Sequence, residues 1–168
     1  MLEFQIKDVL PKVLIGMYDE MSVNEDNTRT LFQTFMPRRN EVNRISEFVF
    51  DLRTYTSDYF LRFDPSKTFR KYALVEVEDG ERCPEDMTVY YFVGGKYAVF
   101  YHKGNDNPFP YIYGEWLPAS GFVIDERPHF EILSEKYRPG DPESEQEIYI
   151  PIKRADETDY NGIVRPDI

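Results

Sequence analysis

Gly94-Gly95-Lys96-Tyr97-Ala98-Val99-Phe100-Tyr101-His102 is a run of aromatic and β-branched residues entered through two glycines. That composition favours a strand, and the region from Met87 to His102 reads as strand-like on both sides of the glycine pair, where the missing Cβ atoms permit a bulge or sharp bend. Upstream, Lys12-Val13-Leu14-Ile15-Gly16 has the same character and stands in the equivalent place. Each run is followed by a helical pattern and then by two further strand-like runs.

In the first half the strand-like region is Glu3 to Asp19, with its β-rich core at Val13 to Tyr18. The capping residues Asn24-Glu25-Asp26-Asn27-Thr28 then precede Leu31, Phe32, Phe35 and Met36 at helical spacing, which predicts a helix that Pro37 kinks or ends. Val42 and Ile45 extend the pattern into a second helical piece. Phe48 to Phe63 and Phe69 to Val77, the latter closed by the Asp79-Gly80 turn, read as strands. In the second half, Pro108 to Leu117 fits a helix, and Phe122 to Leu133 and Glu147 to Ile152 read as strands.

The repeated order predicts one α+β domain over residues 1–154, built from two βαββ halves, and a polar tail over 155–168. Two such halves would join antiparallel sheets, carry both helices on one face and leave a concave ligand cleft opposite.

The 168 residues suffice for one core. The 13 Phe, 13 Tyr and 1 Trp exceed what such a core requires, so some aromatics are expected to line a site. A formal net charge of −11 opposes direct nucleic-acid binding, which depends on Lys and Arg displacing counterions, and favours cationic small molecules. It is also compatible with a protein partner. Cys83 has no second cysteine to pair with, the opening residues lack a basic region followed by an apolar run, and no stretch approaches a membrane span. These features lead us to expect a cytoplasmic protein.

Four segments in order, Gly95 to Gly104, Trp116-Leu117-Pro118-Ala119-Ser120-Gly121-Phe122, Arg127-Pro128-His129-Phe130-Glu131 and Glu147-Ile148-Tyr149-Ile150-Pro151-Ile152-Lys153, resemble the GyrI-like family. This is the effector-binding module also found in AraC-type regulators. The match is dense from about Met87 to Lys153, while the first half agrees mainly by pattern. The resemblance implies a duplicated βαββ fold with a ligand cleft between the halves. It also implies small-molecule sensing or sequestration, often of bulky aromatic cations; other relatives are implied to hydrolyse cyclopropane-bearing genotoxins or to inhibit DNA gyrase. Unlike AraC-type regulators, this sequence has neither the length nor the basic charge for a helix-turn-helix region.

Glu131 lies between Phe130 and Ile132, so strand periodicity alone makes it an exposed acid. The resemblance instead matches it to the family's cleft carboxylate. Trp116 suits either a core anchor beneath the second helix or a cleft wall, and Tyr91 and Tyr149 are further candidates for lining a ligand. Glu76 reads as a solvent-facing strand acid. His102, His129 and Cys83 lack metal-ligand spacing, so neither metal nor cofactor is expected. A carboxylate beside a phenol suits reversible binding and ring-opening hydrolysis equally, and both readings stay open here.

Overall fold

Pro11 has no N–H to give a ladder, and the chain breaks there into β1 (Glu3–Val9) and β2 (Lys12–Met21). The glycine pair produces the matching break between β5 (Thr88–Phe92) and β6 (Gly95–Lys103). The two breaks touch: a Cβ on Gly94, whose φ is +79°, would lie 2.3 Å from the Val9 carbonyl oxygen. The strands then exchange partners, β1 pairing with β6 and β5 with β2. Each half therefore lends its first strand to the other.

The computed structural model describes residues 2–157. The remaining elements are α1 (Thr28–Phe35), β3 (Val49–Thr54), β4 (Phe69–Val77), α2 (residues 109–120), β7 (Phe122–Ile124), β8 (His129–Leu133) and β9 (Glu145–Arg154). Eight strands run in the order β1-β6-β9-β8-β3-β4-β2-β5, and β7 pairs with the end of β9. All pairings are antiparallel. The order reads the same from either edge once β1, β6, β9, β8 are matched to β5, β2, β4, β3, so the two βαββ halves meet at the β8–β3 seam.

Register assigns the faces. Phe100, Ile148, Glu131, Asp51, Ala73 and Met17 form one row of cross-strand partners. Strand side chains alternate, so the whole row lies on one face. Leu31 and Phe35 of α1 pack on this face against Ile15, Val49 and Val75, and Ile112 and Trp116 of α2 pack on it against Ala98, Phe100 and Ile150. Both helices thus share a face, as expected.

The other face belongs to Val99, Tyr149, Phe130, Leu52 and Tyr72. Phe130 is its hub, with ring centroids of Tyr149, Tyr97 and Phe92 at 4.3, 5.2 and 5.2 Å. Burial of these rings makes this a second hydrophobic layer, in which Tyr149, one of the residues expected to line a cleft, packs on Phe130.

Four boundaries differ from expectation. The helix after Pro37 is only a 3-10 turn at Met36–Glu41, and Val42 is already extended, because proline supplies no N–H to continue the α ladder. The strand from Phe48 stops at Thr54, where Thr56 donates to Asp58 at 2.7 Å and Tyr59 N–H to the Thr56 carbonyl at 3.0 Å, turning the chain. Pro128 and an Asp125 turn, in which Asp125 accepts from the Glu126 N–H and from Arg127, separate β7 from β8. The last strand is longer than read, at Glu145–Arg154. Residues 155–157 form a 3-10 turn, and the rest of the expected polar tail lies outside the described residues. No helix among the described residues is long and apolar enough to cross a membrane.

Candidate ligand site

The seam places two carboxylates opposite each other. Asp51 of β3 and Glu131 of β8 are register partners on the helix-bearing face, 7% and 8% exposed. Like charges directly opposed in a sheet repel, so each needs a counter-ion. Arg53 Nη1 donates to Glu131 Oε1 at 3.0 Å, and Lys71 Nζ sits 3.4 Å from Asp51 Oδ2. Lys71 also donates to the Thr28 hydroxyl at 2.9 Å, tying the first turn of α1 to the seam. Burial raises the Glu131 carboxyl above its ordinary value near 4.5, against the opposing pull of Arg53, and the charge of Asp51 adds to the rise.

Beyond Arg53 the same face is filled by rings. The turn after β3 brings Tyr55, Tyr59 and Phe60 over the seam, and the π-helical turn Ile112–Trp116 brings Tyr113 from α2. Phe60 stacks on His129 at 5.0 Å, Tyr55 meets that imidazole edge-on at 5.0 Å, and the Tyr113 hydroxyl lies 3.2 Å from His129 Nδ1. Burial, then the charges of Arg53 and Arg127, hold His129 well below its usual pKa, so it is neutral at pH 7. Burial pushes the Tyr55 phenol up to about 12.

This aromatic plug divides the space between the helices. On the side of it away from Arg53 lies a cavity of about 840 Å³, bounded by Tyr55, Phe60, Leu117 and His129. On the other side, between α1 and the connection from β8 to β9, lies one of about 920 Å³. Asp51 and Glu131 line the second cavity, together with apolar Phe32, Met36, Val49 and Leu133. Neither Arg53 nor Lys71 lines it, whereas Arg29 and Arg138 do.

The four residues singled out from sequence do not converge. Glu131 is buried at the cavity, on the helix-bearing face. The cleft expected opposite the helices is therefore corrected for this carboxylate, because its odd position in the alternation of β8 turns it toward the helices. Trp116 is a core side chain 4.9 Å from Phe100 and 5.2 Å from Phe4. Tyr91 stands 67% exposed on edge strand β5. Tyr149 lies on the opposite face, stacked on Phe130, and donates to Glu147 at 2.7 Å. Glu76 is partly exposed and 3.7 Å from Lys12. Asp51, Arg53 and Lys71 were not singled out from sequence. The available signal was the alternation of Val49-Phe50-Asp51-Leu52-Arg53, which puts two charges on one face of a strand whose neighbours are apolar. Among the described residues, no group of three or more His, Cys, Asp or Glu side chains could hold a metal ion.

The family profile described as integron-associated effector binding protein matches residues 5–152. A curated relative, the transcriptional regulator BrlR of Pseudomonas aeruginosa, is 30% identical over 144 residues, covering 83% of this chain and 51% of its own length. The chain thus spans about half the length of that relative. Among solved structures, SAV2435 bound to tetraphenylphosphonium superposes with a TM-score of 0.63 at 14% identity, over 96% of this chain and 99% of that one. The EcmrR C-terminal domain superposes at 0.66 and 10% identity, over 92% and 99%. These two likenesses concern the fold. The profile match over most of the chain, on an antiparallel sheet with a buried carboxylate seam, makes the protein a member of the integron-associated effector-binding family, a GyrI-like effector-binding domain.

Proposed function

We propose that the protein binds hydrophobic small molecules, with cations preferred, in the cavity between α1 and the β8–β9 connection, to sequester them or to signal their presence. The observation that carries this reading is the buried Glu131 beside Asp51 on the wall of a cavity of about 920 Å³ whose other walls are largely apolar. That volume suits a drug-sized ligand. Burial disfavours the ionised carboxylate, and an incoming cation restores it, so part of the desolvation cost already present in the empty site is recovered on binding. The net charge of −11 raises the local concentration of cations further. The same charge opposes direct contact with DNA. The solved relative that carries tetraphenylphosphonium supports this choice of ligand class.

Calorimetry with tetraphenylphosphonium and with neutral triphenylphosphine oxide tests the reading. Glu131→Gln is expected to weaken the cation at least about tenfold, ~1.4 kcal/mol, and to leave the neutral compound within about threefold. Equal weakening of both, or unchanged cation affinity, contradicts a ligand-facing Glu131.

A further inference from the structure

The two seam carboxylates are not equally satisfied. Arg53 donates directly to Glu131 at 3.0 Å, whereas Lys71 stands off from Asp51 Oδ2 at 3.4 Å and spends its shorter contact, 2.9 Å, on Thr28. The second oxygen of Asp51, Oδ1, is buried and accepts no hydrogen bond from any described residue. Asp51 is 7% exposed and lines the cavity between α1 and the β8–β9 connection. Of the two arginines along that cavity, Arg138 already donates to the carbonyls of Glu135 and Tyr137. A buried acceptor without a donor is costly, and more so when it carries charge. A ligand that brings a donor to the Asp51 carboxylate, with a turn of the side chain that carries Oδ1 to the cavity wall, would remove that cost.

We infer that this site selects cations whose charged head carries N–H groups, such as a protonated primary or secondary amine or an amidinium, over fully substituted onium ions of the same charge and body, with Asp51 as the residue that discriminates. The inference rests on the cavity being the ligand site and specifies the chemistry of its ligand. Coulomb attraction draws both kinds of cation. Only the N–H head also donates to the Asp51 carboxylate, and because Glu131 is the cross-strand partner of Asp51, one head with several N–H bonds has two carboxylates within its reach. A fully substituted head presents carbon to both oxygens and leaves the acceptor unpaired. Discrimination of this kind, through a buried polar group that only one ligand satisfies, is stronger than discrimination by apolar contact.

The test uses one body with two heads: 4-phenylbenzylammonium and its N,N,N-trimethyl derivative, titrated calorimetrically into wild type and Asp51→Asn, with tetraphenylphosphonium as reference. Wild type is expected to bind the primary ammonium at least about tenfold more tightly than the trimethyl ion, ~1.4 kcal/mol. Asp51→Asn, checked for folding by its melting transition, is expected to narrow that ratio to threefold or less. Equal affinities in wild type, or a preference that survives Asp51→Asn, overturn the assignment to Asp51 while tetraphenylphosphonium binding leaves the cavity reading standing. If wild type binds none of the three cations, both readings fall. The wild-type comparison decides even if the variant does not fold.

Discussion

The two faces of the β3–β8 seam are made by alternate residues of the same two strands, yet they solve opposite problems. Leu52 and Phe130 meet on one face, fully buried among Phe50, Phe92, Tyr97 and Tyr149. Asp51 and Glu131 meet on the other, equally withheld from water but ionisable, with one cation apiece. The aromatic face gains from burial alone. The charged face pays desolvation that its counter-ions only partly return, and retains acceptors that a ligand can use. One layer holds the halves together; the other keeps a chemically incomplete surface between the helices.

If this contrast is right, damage to the two faces differs in kind. Phe130→Ala should have the largest effect, lowering unfolding free energy by about 3–5 kcal/mol, with little dependence on pH. Arg53→Met should cost about 3 kcal/mol at neutral pH, because it leaves Glu131 buried and unpaired. That loss should shrink toward pH 5, where Glu131 without Arg53 takes up a proton, and adding Glu131→Gln should recover most of it. Denaturant titration of these variants at pH 5 and pH 7 checks each statement. A pH-independent Arg53→Met deficit would place the pair outside the low-dielectric seam. Tyr149→Phe should cost less, about 0.5–1.5 kcal/mol, since it removes one hydrogen bond to partly exposed Glu147 and keeps the stacking on Phe130.

The smallest expected effect is a sign. The folded-state pKa of Glu131 lies above its unfolded value near 4.5, so the folded state binds the extra proton between the two. Its stabilising contribution is then fully present below pH 4.5 and is lost as pH rises through the folded value. Asp26, Asp58, Asp64 and Asp125 are shifted the opposite way, so their contributions appear as pH rises. Subtracting Glu131→Gln from wild type isolates the Glu131 part, and the difference should favour wild type more at low pH than at high pH. The reverse slope would mean that Arg53 outweighs burial.

The same contrast explains what the sequence disclosed. Matching runs at Lys12 and Lys96, each followed by a helical pattern and two strand-like runs, carry the duplicated fold, because periodicity and turn chemistry are local properties. The partner exchange of β1 and β5 was not legible, since a strand broken at Pro11 or Gly94 reads locally like a bulged one. Glu131 could be named by resemblance, but its face could not. Asp51 and Arg53 were hidden because a charged residue in an alternating strand looks solvent-facing until a second element covers it. Tyr55 and Phe60 were hidden for another reason: the run containing them has strand composition, and only the Thr56–Asp58 turn folds it back over the seam. Trp116, Tyr91 and Tyr149 share aromatic character and nothing else, and aromatic character alone does not say which of two faces a ring occupies.

The most direct test is where a ligand sits. A crystal structure of the complex with a brominated aryl ammonium ion would locate the body by the anomalous signal of bromine. The account predicts bromine density between α1 and the β8–β9 connection, with the ammonium nitrogen within about 3.2 Å of an oxygen of Asp51 or Glu131. Density on the aromatic face beside Phe130 and Tyr149, or only in the cavity beyond His129, would contradict it.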